Sequence, residues 1–219
     1  MYLTHMALNP DRRSTRDLVQ SPQRLHAAVL SAFLPGTADS DRILWRLDQP
    51  ERHRLDLYFV SPVEPSLEAM ADQAGWPSQP VWRTADYAPF LRDLDAGQRW
   101  MFRLRANPIR NERPPDGGRG HRVPLLRVEQ QVEWLTRRSA GHGFDVVAGE
   151  HGPNVRVTER RTERFRRGGL DGRLVTLGTA AYEGVLEVTD AGRLAGALTK
   201  GIGAAKGYGC GLMTLARVP

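Results

Sequence analysis

The apolar residues of this chain change their period along its length, and the changes come in the same order twice. "YLTHMAL" (2–8) alternates as a half-buried strand does, whereas "SPQRLHAAVLSAFLPG" (21–36) spaces Leu25, Val29, Ala32 and Phe33 along one helical stripe. Ser21 stands where a cap belongs, Pro22 suits a first helical position, and Pro35-Gly36 stop the helix. Strand-like "RILWRLD" (42–48) and "HRLDLYFVS" (53–61) follow, then helical "SLEAMADQAG" (66–75) and a weak strand near Val81 and Trp82. After a less regular segment (83–97), the second series opens with "QRWMFRLRANP" (98–108) as a strand. A basic Gly- and Pro-rich loop (110–124) leads to a helix carrying Leu125, Val128, Val132 and Leu135. Strands are expected at 143–150, 154–167 and 172–189, a helix capped by Asp190 at 190–200, and a last strand at 211–218.

Each series reads strand, helix, strand, strand, helix, strand, which is the ferredoxin-like order. The expected fold is therefore α+β: two tandem ferredoxin-like (RRM-like) domains, antiparallel sheets with helices on one face. Residues 1–84 would form the first, 85–97 a linker and 98–219 the second. No residue-level repeat accompanies the repeated order.

Charge is divided unevenly between the halves. Residues 1–98 hold 10 basic against 13 acidic side chains, and residues 99–219 hold 21 against 12, so the second half is the expected seat of a polyanion site. No apolar run approaches the roughly 20 residues of a membrane-spanning helix, and the N-terminus lacks the pattern of a secretory signal. One cysteine, Cys210, permits no internal disulfide and suits a reducing compartment. Cytoplasmic residence without a membrane partner is the expectation.

"KGIGAAKGYGCGL" (200–212) contains five glycines and the only two lysines among 31 basic residues. It is not a phosphate-binding P-loop, because Gly207 follows Lys206 where that motif needs Ser or Thr. It is not a dinucleotide fingerprint either, because Lys206 occupies the place of the third glycine. With both motifs excluded, no nucleotide cofactor is expected. What remains is a helix-to-strand loop whose backbone at Gly201, Gly203 and Gly207 a bulky ligand approaches closely, with Lys200 and Lys206 supplying compact charge for phosphate. The competing reading is a turn that relieves strain; the two unique lysines favour RNA contact.

"RVTERRTERFRR" adds Arg160, Arg161, Arg164, Arg166 and Arg167, whose guanidinium forks match phosphate oxygens and guanine edges. Here an RNA-gripping prong running to about Arg173 and a charge-guarded edge strand are equally good readings. Arg103 and Arg105, on one side of their strand, and the loop from Arg110 to Arg122 would extend the same basic surface. Six scattered histidines include no HxH or HExxH pair, so no metal site is expected. His26 differs from the others: it sits about 100° round its helix from Leu25, at the edge of the apolar stripe. That mounting, rigid yet accessible, is what a general acid or base needs.

Taken in order, "MYLTHMALNP", "SPQRLHAAV", "ILWRLD", "GQRWMFRLRANP", "GFDVV" and "KGIGAAKGYGCGLMTL" resemble the CRISPR-associated pre-crRNA endoribonucleases of the type I-E Cascade complex. The resemblance implies paired ferredoxin-like domains, also called the repeat-associated mysterious protein fold. It implies an enzyme that cuts CRISPR repeat RNA on the 3′ side of a stem-loop without a metal. The ribose 2′-hydroxyl attacks the neighbouring phosphate, a 2′,3′-cyclic phosphate results, and the product stays bound among the other Cascade subunits. The family's helix-borne histidine falls on His26, whose role as base, acid or electrostatic partner stays open. Some members place a tyrosine three residues ahead; this chain has Gln23, an amide that transfers no proton. That departure supports a rival of another class, a non-catalytic RNA-binding scaffold of the same fold. A DNA-binding module is disfavoured, because no helix concentrates base-reading residues.

Overall fold

The computed structural model describes residues 1–37, 42–77, 81–114, 117–118, 120–167 and 172–219. Its first half runs β1 (Tyr2–Leu8), α1 (Arg13–Val19), α2 (Pro22–Ser31), β2 (Leu44–Glu51), β3 (Arg54–Ser61), α3 (Glu68–Ala74) and β4 (Trp82–Asp86). These four strands form one antiparallel sheet in the order β2-β3-β1-β4. After α4 (Ala88–Arg92), the second half runs β5 (Arg99–Ala106), β6 (Ile109–Glu112), β7 (His121–Pro124), α5 (Val128–Ser139), β8 (Phe144–Val146), β9 (Ala148–Gly149) and β10 (Gly152–Pro153). It closes with β11 (Val155–Arg167), β12 (Arg173–Val188), α6 (Ala191–Lys200) and β13 (Met213–Arg217). Its main sheet has the order β11-β12-β5-β13, with β8 also paired to β12. In each sheet the first strand of its half lies inside, between neighbours that come later in the chain.

Alternation along β2 sets the relation of the halves, because successive side chains leave a strand on opposite faces. Trp45 turns to the helices and packs with Leu25 and Val29 of α2, Phe59 of β3 and Met70 of α3. Leu44 and Arg46 turn the other way. Leu44 joins Val60, Tyr87 and Leu94 in the core of the second half, beside Phe102, Trp134, Tyr182 and Leu198. Arg46, only 1% exposed, bonds Asp48 within its own strand and donates to the carbonyls of Arg103 and Leu212 and to Thr214 Oγ1. The guanidinium thus ties β2 to both β5 and β13.

Several sequence expectations change in detail. Residues 13–19, given no element above, form α1, whose Thr15 hydroxyl donates to the Ala74 carbonyl at the end of α3. Ser21 holds the extended backbone of an N-cap but makes no side-chain cap bond; Pro22 starts the helix as expected. Asp190 does cap α6, accepting from the Arg193 amide at 2.9 Å. The expected loop at 110–124 contains a hairpin pairing β6 with β7. The Leu125 amide donates to the Pro108 carbonyl at the base of that hairpin, and α5 starts at Val128 rather than Leu125. The strand expected at 172–189 is one continuous strand, β12, since β11 follows it along most of its length past one irregularity at Val157/Glu159. The tip expected at residues 168–171 and the side chain of Arg167 lie outside the described residues, as do loop positions 115, 116 and 119.

Candidate active site

His26 occupies the second turn of α2 and is half-buried. The Trp45 indole Nε1–H donates to its Nδ1 at 3.3 Å, and the two rings lie 20° from coplanar. Its Nε2 faces the short turn Lys206–Tyr208: a Cβ added to Gly207 would stand 3.4 Å from that nitrogen. The helix-borne histidine and the lysine-bearing loop, some 180 positions apart in the sequence, therefore meet directly. Burial holds the His26 pKa below its ordinary value, since the ring loses water that would stabilise its charged form.

The glycines explain how the loop comes so close. Gly209 takes φ +74°, and a Cβ there would stand 2.6 Å from Trp45 Cζ3. Gly201, at φ +77°, would press a Cβ to 2.9 Å from Leu44 Cδ2, and Gly203, at φ +83°, would meet Trp134 at 3.0 Å. Backbone thus packs against three large side chains, two from the first half and one from α5, where any larger residue would hold it off. Lys206 closes the loop by donating to the Lys200 carbonyl at 2.6 Å, at the end of α6. Its pKa is lowered by burial and then by the neighbouring charge of Arg42.

The arginine hairpin joins the same place. Phe165 of β11 meets Tyr208 edge-on, with centroids 4.8 Å apart, and both pack with Leu177 and the buried Cys210. Burial pushes the Cys210 thiol up to about 12, so it serves as a small apolar residue. Arg160, Arg164 and Arg166 are exposed on the strand face opposite Phe165, and Arg160 reaches the Leu126 carbonyl ahead of α5. Arg161 instead pairs with Glu159. Arg103 and Arg105 are not brought to the turn: Arg103 is held by Asp48 and Glu183, and Arg105 by Glu163 at 2.7 Å, in the seam between the halves.

On the other flank of the lysine turn lies a groove of about 770 Å³ bounded by α5, the β6-β7 hairpin and Gly203–Lys206. Arg42, Arg110, Arg122, Arg137, Arg138 and Lys206 line it, with Glu133 as the one carboxylate among the described residues. Arg138 lies over the Trp134 ring, 4.4 Å from its centroid. Arg110 and Arg122 fall within the basic loop singled out above; Arg42, Arg137 and Arg138 do not, although an Arg-Arg pair one turn beyond a tryptophan on a helix was a signal that could have found the last two. His142, beside this groove, is also lowered, first by burial and then by Lys206 and Arg138. Among the described residues no three His, Cys, Asp or Glu side chains converge as metal ligands. No helix among them is long and apolar enough to cross a membrane.

An α+β protein with two main sheets that lines a groove with six cations is of a class suited to binding polyanions. The model of the family described as "CRISPR associated protein" matches residues 1–217, and the chain belongs to that family. It is 32% identical over 228 residues to the CRISPR-associated endoribonuclease Cse3 of Thermus thermophilus, covering 99% of this chain and 100% of that protein. It is 36% identical over 131 residues to the CRISPR system Cascade subunit CasE of Escherichia coli, covering 56% of this chain and 60% of that one. A solved structure of Cse3 bound to a 19 nt RNA superimposes with a TM-score of 0.82 at 32% identity, covering 99% of this chain and 100% of the other.

Proposed function

We propose that this chain is a CRISPR-associated endoribonuclease of the Cse3 kind that binds the stem-loop of a CRISPR repeat RNA, cuts it 3′ of the stem and keeps the product within a Cascade complex in the cytoplasm. The observation that carries this is the contact of His26 with the Gly207 turn, which puts an imidazole beside a cationic track. The two halves read best as tandem ferredoxin-like domains, 1–84 and 98–219, joined by 85–97. In support, each sheet sets its first strand between its third and fourth; in the second half β8 and β11 together take the outer place beside β12.

Phosphates of the RNA would lie along Arg42, Arg122, Arg137, Arg138 and Lys206, with the exposed arginines of β11 holding the stem. Lys200 and the backbone at Gly201, Gly203 and Gly207 would line the approach to the cut. A-form RNA closes its major groove to most side chains, so grip rests on shape and backbone charge. Arg103 and Arg105 would act by fixing the sheet that carries these groups, through their ion pairs. In the reaction the ribose 2′-oxygen bonds to phosphorus, the bond from phosphorus to the 5′-oxygen breaks, and a 2′,3′-cyclic phosphate forms. Both proton transfers, from the 2′-hydroxyl and to the 5′-oxygen, are made with solvent. With Nδ1 accepting from Trp45, Nε2 carries the neutral ring's hydrogen, so His26 would act as an electrostatic partner, hydrogen-bonding a phosphate or leaving oxygen as negative charge builds on it. No proton carrier is drawn from position 23, where Gln23 is inert.

The test is cleavage of the cognate repeat RNA in excess EDTA, with analysis of the upstream fragment's 3′ end. A cyclic phosphate is expected, and His26→Ala should lower cleavage by about 10²- to 10³-fold while leaving binding intact. Tight binding with no cleavage by the wild-type protein would make the chain a scaffold instead, the reading that Gln23 favours.

A further inference from the structure

We infer that Trp45 is a positioning residue for His26: its indole N–H holds Nδ1 as an acceptor, so the nitrogen facing the Gly207 turn bears the hydrogen. The inference rests on the reading of His26 Nε2–H as a hydrogen-bond donor to the RNA and extends it to a residue that touches no substrate.

An indole N–H only donates, and a neutral imidazole has one donor and one acceptor nitrogen. At 3.3 Å from Trp45 Nε1, Nδ1 must be the acceptor, which leaves the hydrogen on Nε2. Trp45 cannot turn away to accommodate the other tautomer. Its side chain is 1% exposed, packed in the core of the first half, and Gly209 presses backbone against the far edge of its ring. The indole is thus clamped between α2 and the loop that carries Lys206. Protonating His26 at Nδ1 sets two hydrogens against each other and breaks the bond, so the same contact that fixes the tautomer opposes the charged ring. Burial acts in the same direction.

The groups facing the imidazole from each neighbouring element do not supply this effect. On α2, Arg24 is directed to the Asp17 carbonyl. On the turn, Lys206 is directed to the Lys200 carbonyl and Tyr208 to Phe165. On β11, Glu159 pairs with Arg161 and Glu163 with Arg105. The one polar group directed at the ring by β2 is the indole itself.

The test is a pH titration of His26 by ¹⁵N NMR in the free wild-type protein and in Trp45→Phe, which keeps an aromatic ring and loses the donor. The wild-type ring is expected as the Nε2–H tautomer. In Trp45→Phe its pKa should rise by about half to one unit, the equivalent of one hydrogen bond. A wild-type ring protonated at Nδ1 when neutral would overturn the inference, and that spectrum needs no variant to fold. Superimposable titrations of the two proteins would overturn it as well. If instead the NMR results are as expected but His26→Ala cleaves normally, Trp45 still sets the tautomer and the donor reading of His26 is what fails.

Discussion

At the scale of single residues, the site depends on what surrounds an imidazole rather than on the imidazole itself. His26 was legible because a polar ring stood at the rim of an apolar stripe on a well-punctuated helix. Trp45 was not, since one tryptophan in a strand is core in almost any fold, and only its pairing 19 positions on with His26 gives it a second task. Two histidines, His26 and His142, have folded pKa values below the ordinary 6.5. The unfolded chain therefore binds more protons than the folded one between those lowered values and about pH 6.5. Stability should be full above that window and fall as pH drops through it. Urea midpoints for wild type and for His26→Asn/His142→Asn, compared between about pH 7.5 and about pH 5, check this: the double variant should show the flatter dependence.

At the scale of elements, the glycine loop is the joint on which the site turns. Its glycines were read as room for a ligand. The structure gives Gly201, Gly203 and Gly209 a second reason, namely left-handed backbone packed on Leu44, Trp134 and Trp45. Gly209→Ala should destabilise the protein by about 2–4 kcal/mol, because a Cβ would meet the Trp45 ring at 2.6 Å on a backbone that L-residues resist. Gly36→Ala is the matched control: φ is +88° but no atom of the described residues lies within 4 Å of the added Cβ, so about 1–2 kcal/mol is expected. Urea denaturation separates the two, and Gly209→Ala should also weaken cleavage by moving the turn from His26. The arginine strand divides along similar lines. Alternation sends Arg160, Arg164 and Arg166 to solvent and Phe165 to Tyr208, so one strand both displays charge and anchors to the loop.

At the scale of the whole molecule, two sheets are locked by a buried cation. Arg46 and Asp48 lie in the seam, and Arg103 reaches Asp48 from the second half at 3.2 Å. Arg46→Met should cost about 3–5 kcal/mol, because it takes one of two guanidinium partners from the buried Asp48 carboxylate and removes the side-chain donor to the carbonyls of Arg103 and Leu212. The measurement is again equilibrium denaturation. Charge sets the other prediction at this scale. If six to ten cations meet RNA phosphates, affinity should fall by about 10³–10⁵ between about 50 and 200 mM salt. Arg137→Ala/Arg138→Ala should then lower the slope of log affinity against log salt by about one to two units, read by filter binding.

Periodicity and punctuation are local, and they were enough to set out most of the strands and helices, the repeated order and a basic second half. Even the errors were local ones, at α1 and at the hairpin of β6 and β7, where short polar segments carry no clear period. What the order of residues could not contain was how closely the loop after α6 packs on Trp45, or the basic groove that Arg42 shares with α5. Those depend on side chains far apart in the chain choosing the same face, and on glycines leaving just enough space for backbone to lie against an indole. Such contacts are decided by packing between layers, which has no signature in any single segment.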